Sequence, residues 1–175
     1  MGSFIEWLYG TDLLRPSIEW LYGTWASDFA NGYRWTWPIA ESIHFIGLVL
    51  LAGTVGAFDL RLLGLGKGIR PADLHRLLRF GIFGFGLLFI TGLLFISGAP
   101  EQYFYNAAFH LKFIALLATG INVTLFYWME FPTIQTLGPT DDAPRAAKTM
   151  AAVSLTLLVA VMLFGRMLTF FRPAF

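Results

Sequence analysis

The chain has 175 residues, of which 57% are hydrophobic and only 13% are charged. A soluble domain usually carries about a quarter charged residues, so this composition argues against a soluble enzyme, and its high hydrophobicity excludes a disordered chain. The absence of cysteine excludes disulfides, thiolate zinc sites, iron–sulfur clusters and covalently attached haem. The net charge of +1 gives no indication of a nucleic-acid partner. These features together predict a small integral membrane protein.

Residues 1–37 form an aromatic-rich segment that is too polar to span a bilayer. They hold five of the six tryptophans, and the sequence IEWLYGT at residues 5–11 recurs at residues 18–24. Trp and Tyr favour the membrane–water interface, where the ring is buried and its polar group stays hydrated. We therefore predict an amphipathic segment on the membrane surface, either as an anchor or as a docking platform for a partner protein.

Four long apolar runs predict membrane-spanning helices, at about residues 39–60, 78–98, 106–129 and 147–171. Each run is close to the roughly 20 residues that cross a bilayer as a helix. The runs lack the alternation of a β-strand, and a helix satisfies its own backbone hydrogen bonds in lipid. We expect residues 38–175 to form one transmembrane domain. The predicted fold class is an all-α, four-helix integral membrane bundle.

Five of the twelve Lys and Arg residues lie in the connection of the first two runs or at its edge, at Arg61, Lys67, Arg70, Arg76 and Arg79. The positive-inside rule places this connection in the cytoplasm. The protein is then expected in the bacterial inner membrane as a multi-pass protein with both termini outside. Asp59, which closes the first run, is expected to pair with a cation on the cytoplasmic side, such as Arg79.

Two of the three histidines lie inside predicted spans. His44 is about six residues into the first span and His110 about four residues into the third, so their depths are roughly 9 Å and 6 Å. Two imidazoles that face each other across a helix bundle can ligate the iron of a b-type haem from both sides. We predict one haem b near the outer face, with His44 and His110 as the ligands of its iron.

Other residues meet the remaining requirements of a porphyrin. Small side chains leave room for the ring at Gly47, Gly92 and Ala118, and the second span also brings Thr91 and Phe95 to this depth. The haem propionates need cations. Two arginines are predicted near the outer surface for this role, Arg34 and Arg166.

Two other interpretations of these histidines remain open. A polar network would satisfy both rings without a cofactor, because His44 lies one turn from Glu41 and His110 lies near Lys112. A metal ion is the second alternative. The third histidine, His75, is predicted to be an ordinary loop residue on the cytoplasmic side.

The first span also resembles a known family. Residues 37–47 and 59–64 resemble the first span of a family of small four-helix bacterial inner-membrane proteins, most of which have no assigned function. Further similarities lie at residues 5–8 and at Asn106, Phe109 and Lys112. The architecture also resembles the copper-resistance D family and the four-helix membrane cytochromes b. The cytochrome resemblance implies that His44 and His110 are axial ligands.

The predicted function is electron transfer by a membrane b-type cytochrome, an electron carrier or subunit more than a stand-alone enzyme. Its partners would be the lipid bilayer and either a periplasmic redox protein or a quinol. The chain could also associate with a larger membrane complex or with copies of itself, and one alternative function is a non-redox accessory subunit of such a complex. The other alternative is a transporter of copper or another metal ion.

The predicted orientation can be tested by replacing Lys67 with cysteine. In intact cells this cysteine should be protected from a membrane-impermeant thiol reagent, because the basic connection is cytoplasmic. The chain has no cysteine of its own, so the label reports that position alone. A cysteine at Glu101, in the connection without Lys or Arg, should react under the same conditions. Rapid labelling at position 67 would reverse the orientation.

Overall fold

The computed structural model describes residues 14–170 of the chain. Within this range the chain forms nine helices and no strand. The first copy of the IEWLYGT repeat, which includes Trp7, lies outside the described residues. The end of the fourth predicted run, at residue 171, lies outside them as well.

Two short helices precede the bundle: α1, Arg15–Tyr22, and α2, Trp25–Gly32. Pro16 occupies the first turn of α1, where its missing N–H costs no helical hydrogen bond. Thr24 caps α2 by accepting a hydrogen bond from the backbone N–H of Ser27. The second copy of the repeat therefore forms most of one helix and the cap of the next.

Seven further helices complete the chain: α3 (Thr36–Leu62), α4 (Pro71–His75), α5 (Leu78–Gly98), α6 (Pro100–Phe104), α7 (Ala107–Met129), α8 (Phe131–Thr136) and α9 (Arg145–Met167). The four long helices α3, α5, α7 and α9 are apolar and long enough to cross a bilayer, and α4 continues almost directly into α5. Their apolar side chains are suited to contact with lipid. The predicted all-α bundle with four membrane spans is confirmed.

Successive long helices run in opposite directions, so the bundle has two ends. We call the end that holds the first turns of α3 and α7 the His44 end, and the opposite end the Arg61 end. At the His44 end, the side-chain amide of Asn106 donates to the backbone carbonyl of Leu168 at 2.9 Å. This hydrogen bond joins the start of α7 to the end of α9.

The long helices pack as two pairs. Helix α5 packs along α3, and α7 packs along α9, while α9 also contacts α3. Among the described residues, α7 makes no extensive contact with either α3 or α5. The two pairs are therefore held together mainly through α3 and α9.

Glycine permits the close crossing of α3 and α5. A Cβ atom on Gly84 would lie 2.6 Å from the carbonyl oxygen of Gly47 and 3.0 Å from the backbone nitrogen of Leu51. A Cβ atom on Gly47 would lie 2.7 Å from the carbonyl oxygen of Gly84. No larger residue fits at either position unless the helices separate, as is typical of small-residue crossings in membranes.

Arg61 organises the opposite end of the bundle. Its side chain is only 1% exposed. Its Nε donates to the backbone carbonyl of Ile69 at 2.7 Å, and its Nη2 donates to the carbonyl of Pro139 at 2.7 Å. These carbonyls belong to the connections after α3 and before α9, so one buried guanidinium holds two loops together.

The same two connections also meet through exposed ion pairs. Lys67 lies 3.1 Å from a carboxylate oxygen of Asp142, and Lys148 lies 3.4 Å from it. The hydrogen bond from Lys67, aided by the charge of Lys148, holds the pKa of Asp142 below its usual range. Water screens such pairs, so they orient the loops more than they stabilise the fold.

The glycine crossing leads to a testable difference between two neighbouring glycines. Gly84→Ala should lower the free energy of unfolding by about 1–3 kcal/mol, because its Cβ meets backbone atoms of α3. Gly86→Ala should leave that free energy unchanged or slightly raised, since nothing lies within 4 Å of its Cβ position. Unfolding in detergent measures both. Equal effects of the two substitutions would contradict the tight crossing.

Candidate functional site

His44 lies on α3, and its ring is oriented by α5. Its Nδ1 is 2.7 Å from Oγ1 of Thr91. The hydroxyl of Thr91 already donates its only proton to the backbone carbonyl of Leu87 at 2.6 Å, so Nδ1 of His44 must be the donor. The neutral ring then carries an unprotonated Nε2, to which no residue in the range 14–170 is hydrogen-bonded. This nitrogen has a lone pair available for a ligand.

Aromatic rings pack against His44 from the same side. The ring of Phe95 lies 5.5 Å from the imidazole, and the indole of Trp37 stacks on Phe95 at 5.3 Å. Both aromatic residues belong to the helix pair α3 and α5. This packing and the hydrogen bond from Nδ1 together limit the rotation of the histidine ring.

A cation approaches His44 from the other helix pair. Lys112 of α7 is close enough for its charge to act on the imidazole, and its side chain is half-buried. Its Nζ lies beside α9, 3.6 Å from the position of a Cβ on Gly165. We call His44, Thr91, Phe95, Lys112 and Gly165 the His44 site. All four long helices contribute to it.

His110 has neighbours different from those of His44. Its Nε2 is 2.8 Å from the backbone carbonyl oxygen of Phe104, so its ring closes the turn between α6 and α7. Within residues 14–170, no hydrogen bond or ring contact joins the two histidines. The side chains one and two turns further along the His110 face of α7 are exposed, namely Phe113, Ile114 and Leu117. That face is therefore directed at lipid.

The different directions in which His110 and Lys112 point follow from helical geometry. A separation of two residues corresponds to a rotation of about 200° around the helix axis, so these two side chains point in nearly opposite directions. The depth of a residue in the membrane can be counted along the sequence, but the rotation of its helix cannot. The sequence analysis placed both histidines at similar depths, and the packing of α7 on α9 turns Lys112 toward the bundle.

The small residues predicted around a porphyrin have mixed surroundings. Gly47 is part of the α3–α5 crossing, so helix packing accounts for it. Gly92 of α5 has no other group within 4 Å of its Cβ position, which leaves space at that surface. Ala118 is half-buried on α7.

The two arginines predicted to pair with propionates lie at the surface. The guanidinium of Arg34 is 5.4 Å from the ring centroid of Trp35, and its side chain is exposed. Arg166 is exposed in the last turn of α9. Lys112 is the cation in the His44 site. The position of Lys112, two residues after His110, places it on the opposite face of α7. This spacing was the sequence signal that could have identified Lys112 as the cation.

His75 is not the ordinary loop residue that the sequence analysis predicted. It ends α4 at the Arg61 end, and its Nε2 is 2.9 Å from the hydroxyl of Tyr127. The ring of Phe131 lies 4.5 Å from it, and Phe58 packs on it at 5.8 Å. The residue therefore belongs to an aromatic cluster that joins α3, α4, α7 and α8.

The orientation of His44 can be tested through its partner. Thr91→Val keeps the shape of the side chain but leaves the Nδ1 proton without an acceptor, so we expect a loss of about 1–2 kcal/mol in the free energy of unfolding. Nitrogen NMR of the imidazole should also show a changed tautomer balance. Thr124→Val is the matched control, because its exposed hydroxyl donates only to Gly120 of the same helix. A tautomer balance insensitive to Thr91→Val would contradict the assignment.

Comparison with known proteins identifies a family but no activity. A search of curated proteins and a search of solved structures found no match. A family model described as a family of unknown function (DUF6644) matches residues 19–171, which contain all four long helices and the His44 site. This match confirms the predicted likeness to an uncharacterised family. The chain belongs to the DUF6644 family of unknown function.

Proposed function

We propose that the chain is a membrane electron carrier that binds a b-type haem through His44. The observation that carries this proposal is the ring of His44, which Thr91 holds through Nδ1 while Nε2 has no hydrogen-bond partner among residues 14–170. Haem iron takes imidazole nitrogen as an axial ligand, and a hydrogen bond to the other ring nitrogen is the usual way to fix such a ligand. A bound haem would supply reversible one-electron transfer at its iron.

Three features of the His44 site fit a haem. The ammonium of Lys112 can pair with a propionate in a region shielded from water. Gly92 leaves open space on α5. The limited contact between α7 and the α3–α5 pair also fits, because helices around a cofactor stand farther apart than helices in direct contact.

The proposal takes one axial ligand from this chain. His110 was predicted as the second ligand, but its Nε2 is engaged with the carbonyl of Phe104 and its helix face is exposed. Lys112 takes the role that was predicted for Arg34 and Arg166. The surroundings of His44 thus support haem on one side of the iron only.

The positions of the charges indicate where the electron partner would bind. The concentration of basic residues between α3 and α5 favours a cytoplasmic Arg61 end. The His44 end would then face the periplasm of a bacterial inner membrane. A periplasmic redox protein or a quinol in the outer leaflet would therefore exchange electrons with the haem.

A second candidate function is a non-redox accessory subunit of a larger membrane complex. The observation in its favour is a set of exposed aromatic rings on α1, α2 and the residues that follow them, namely Trp20, Trp25, Tyr33 and Trp35. Such rings suit a protein interface or the membrane surface. Transport of a metal ion has less support, since residues 14–170 contain no group of three or more His, Cys, Asp or Glu side chains that could hold one.

Two histidine variants test the haem proposal. The protein purified from its host membrane, or reconstituted with haem, should show a haem absorption band that shifts on reduction with dithionite. His44→Ala should abolish this band, because the only ligand proposed from this chain is removed. His110→Ala is the matched control and should retain it.

Each other outcome has a definite meaning. Loss of the band in both variants would indicate a rearranged bis-histidine site. A protein that folds without pigment and does not take up haem would overturn the proposal. Its co-purification with a large complex would then support the accessory-subunit function.

A further inference from the structure

Asp59 is a buried acid at the Arg61 end that the proposed electron carrier does not use. It lies in the membrane-spanning helix α3, and only 6% of its surface is exposed. The hydroxyl of Ser154 on α9 lies close enough to its carboxyl group to act on it. The second oxygen, Oδ2, has no hydrogen-bond partner within residues 14–170.

No described cation forms an ion pair with Asp59. Arg79 of α5, which the sequence analysis expected as the partner, lies instead over an adjacent phenylalanine ring at 4.9 Å. Arg61 donates to backbone carbonyls, and Lys148 of α9 pairs with an acid of the preceding loop. His75 of α4 bonds to a tyrosine of α7. None of these ionisable groups forms an ion pair with Asp59, although Nη1 of Arg61 is also without a hydrogen-bond partner among residues 14–170.

A carboxylate in this position would be an unfavourable species. A buried charge needs either a counter-ion or several hydrogen bonds, and among residues 14–170 Asp59 has no ion pair and an Oδ2 without a partner. A metal ion would need several oxygen ligands, and residues 14–170 hold no cluster of three or more His, Cys, Asp or Glu side chains that could bind one. A proton needs only one oxygen atom.

We infer that Asp59 is a proton-binding site at the Arg61 end of the bundle. A proton from water on that side forms an O–H bond at the carboxyl group and returns to water on release, and no electron is transferred. Burial without a counter-ion favours the neutral acid. This inference is independent of the haem, because it rests on different residues at the other end of α3.

Infrared spectroscopy of the full chain in lipid tests the inference. The wild type should show the C=O stretching band of a protonated carboxylic acid at neutral pH, and the band should shift in heavy water. Asp59→Asn should remove it completely, since asparagine is isosteric but cannot take up the proton. Asp73→Asn is the matched control at the same end, because Asp73 is exposed and paired with Arg76. It should leave the band unchanged.

A second variant keeps the test decisive if Asp59→Asn does not fold. Ser154→Ala removes the hydroxyl that acts on the carboxyl group, so the same band must change in frequency. An unshifted band would assign it to another acid and overturn the inference. Carboxylate bands in the wild-type-minus-D59N difference spectrum would also overturn the inference, since they would show that Asp59 is ionised and hydrated. A band that disappears when sodium replaces choline in the buffer would indicate a cation site instead.

Discussion

The close antiparallel crossing of α3 and α5 is the constraint on which the rest of the bundle depends. Gly47 and Gly84 bring the two backbones together, and this contact sets the register of the helices. In that register Thr91 lies opposite His44, and Gly98 lies against Trp37. The positions 84, 91 and 98 recur every seven residues, which is the spacing of a continuous seam between two antiparallel helices. The polar contact of His44 is therefore a consequence of glycine packing.

Polar side chains elsewhere in the spans follow the same rule of internal satisfaction. Lipid offers no hydrogen bonds, so a buried polar group must find its partner within the protein. The side-chain amide of Asn122 donates to the carbonyl of Met150 between α7 and α9 at 3.1 Å, and Arg61 uses loop carbonyls at the helix end. Two groups without a described hydrogen-bond partner are functional candidates. These are Nε2 of His44, which can accept a metal, and Oδ2 of Asp59, which can accept a proton.

The two candidate sites divide the bundle by chemistry. The His44 site at one end gathers an imidazole and an ammonium from opposite helix pairs, which suits a ligand with both a metal and acidic groups. The Arg61 end combines a buried guanidinium, a buried acid and an aromatic cluster around His75. The two helix pairs are held together mainly through α3 and α9. Helix α3 also carries a key residue at each end of the bundle, His44 and Asp59. Membership of a family of unknown function leaves both assignments to experiment.

The sequence by itself determined the membrane class, the four spans and the all-α fold class, because length and hydropathy are local properties of each segment. It also located His44, Thr91 and Phe95 at one depth, because depth follows from counting residues along a helix. Only the tertiary structure decided which side chains meet, because helix rotation depends on packing between distant segments. The α3–α5 crossing assigned Gly47 to packing, and the α7–α9 contact directed Lys112 inward and His110 outward. The same limit explains why the surroundings of Asp59 were not predicted. Its expected partner, Arg79, lies on the next long helix along the chain, whereas Ser154 approaches it from the distant helix α9.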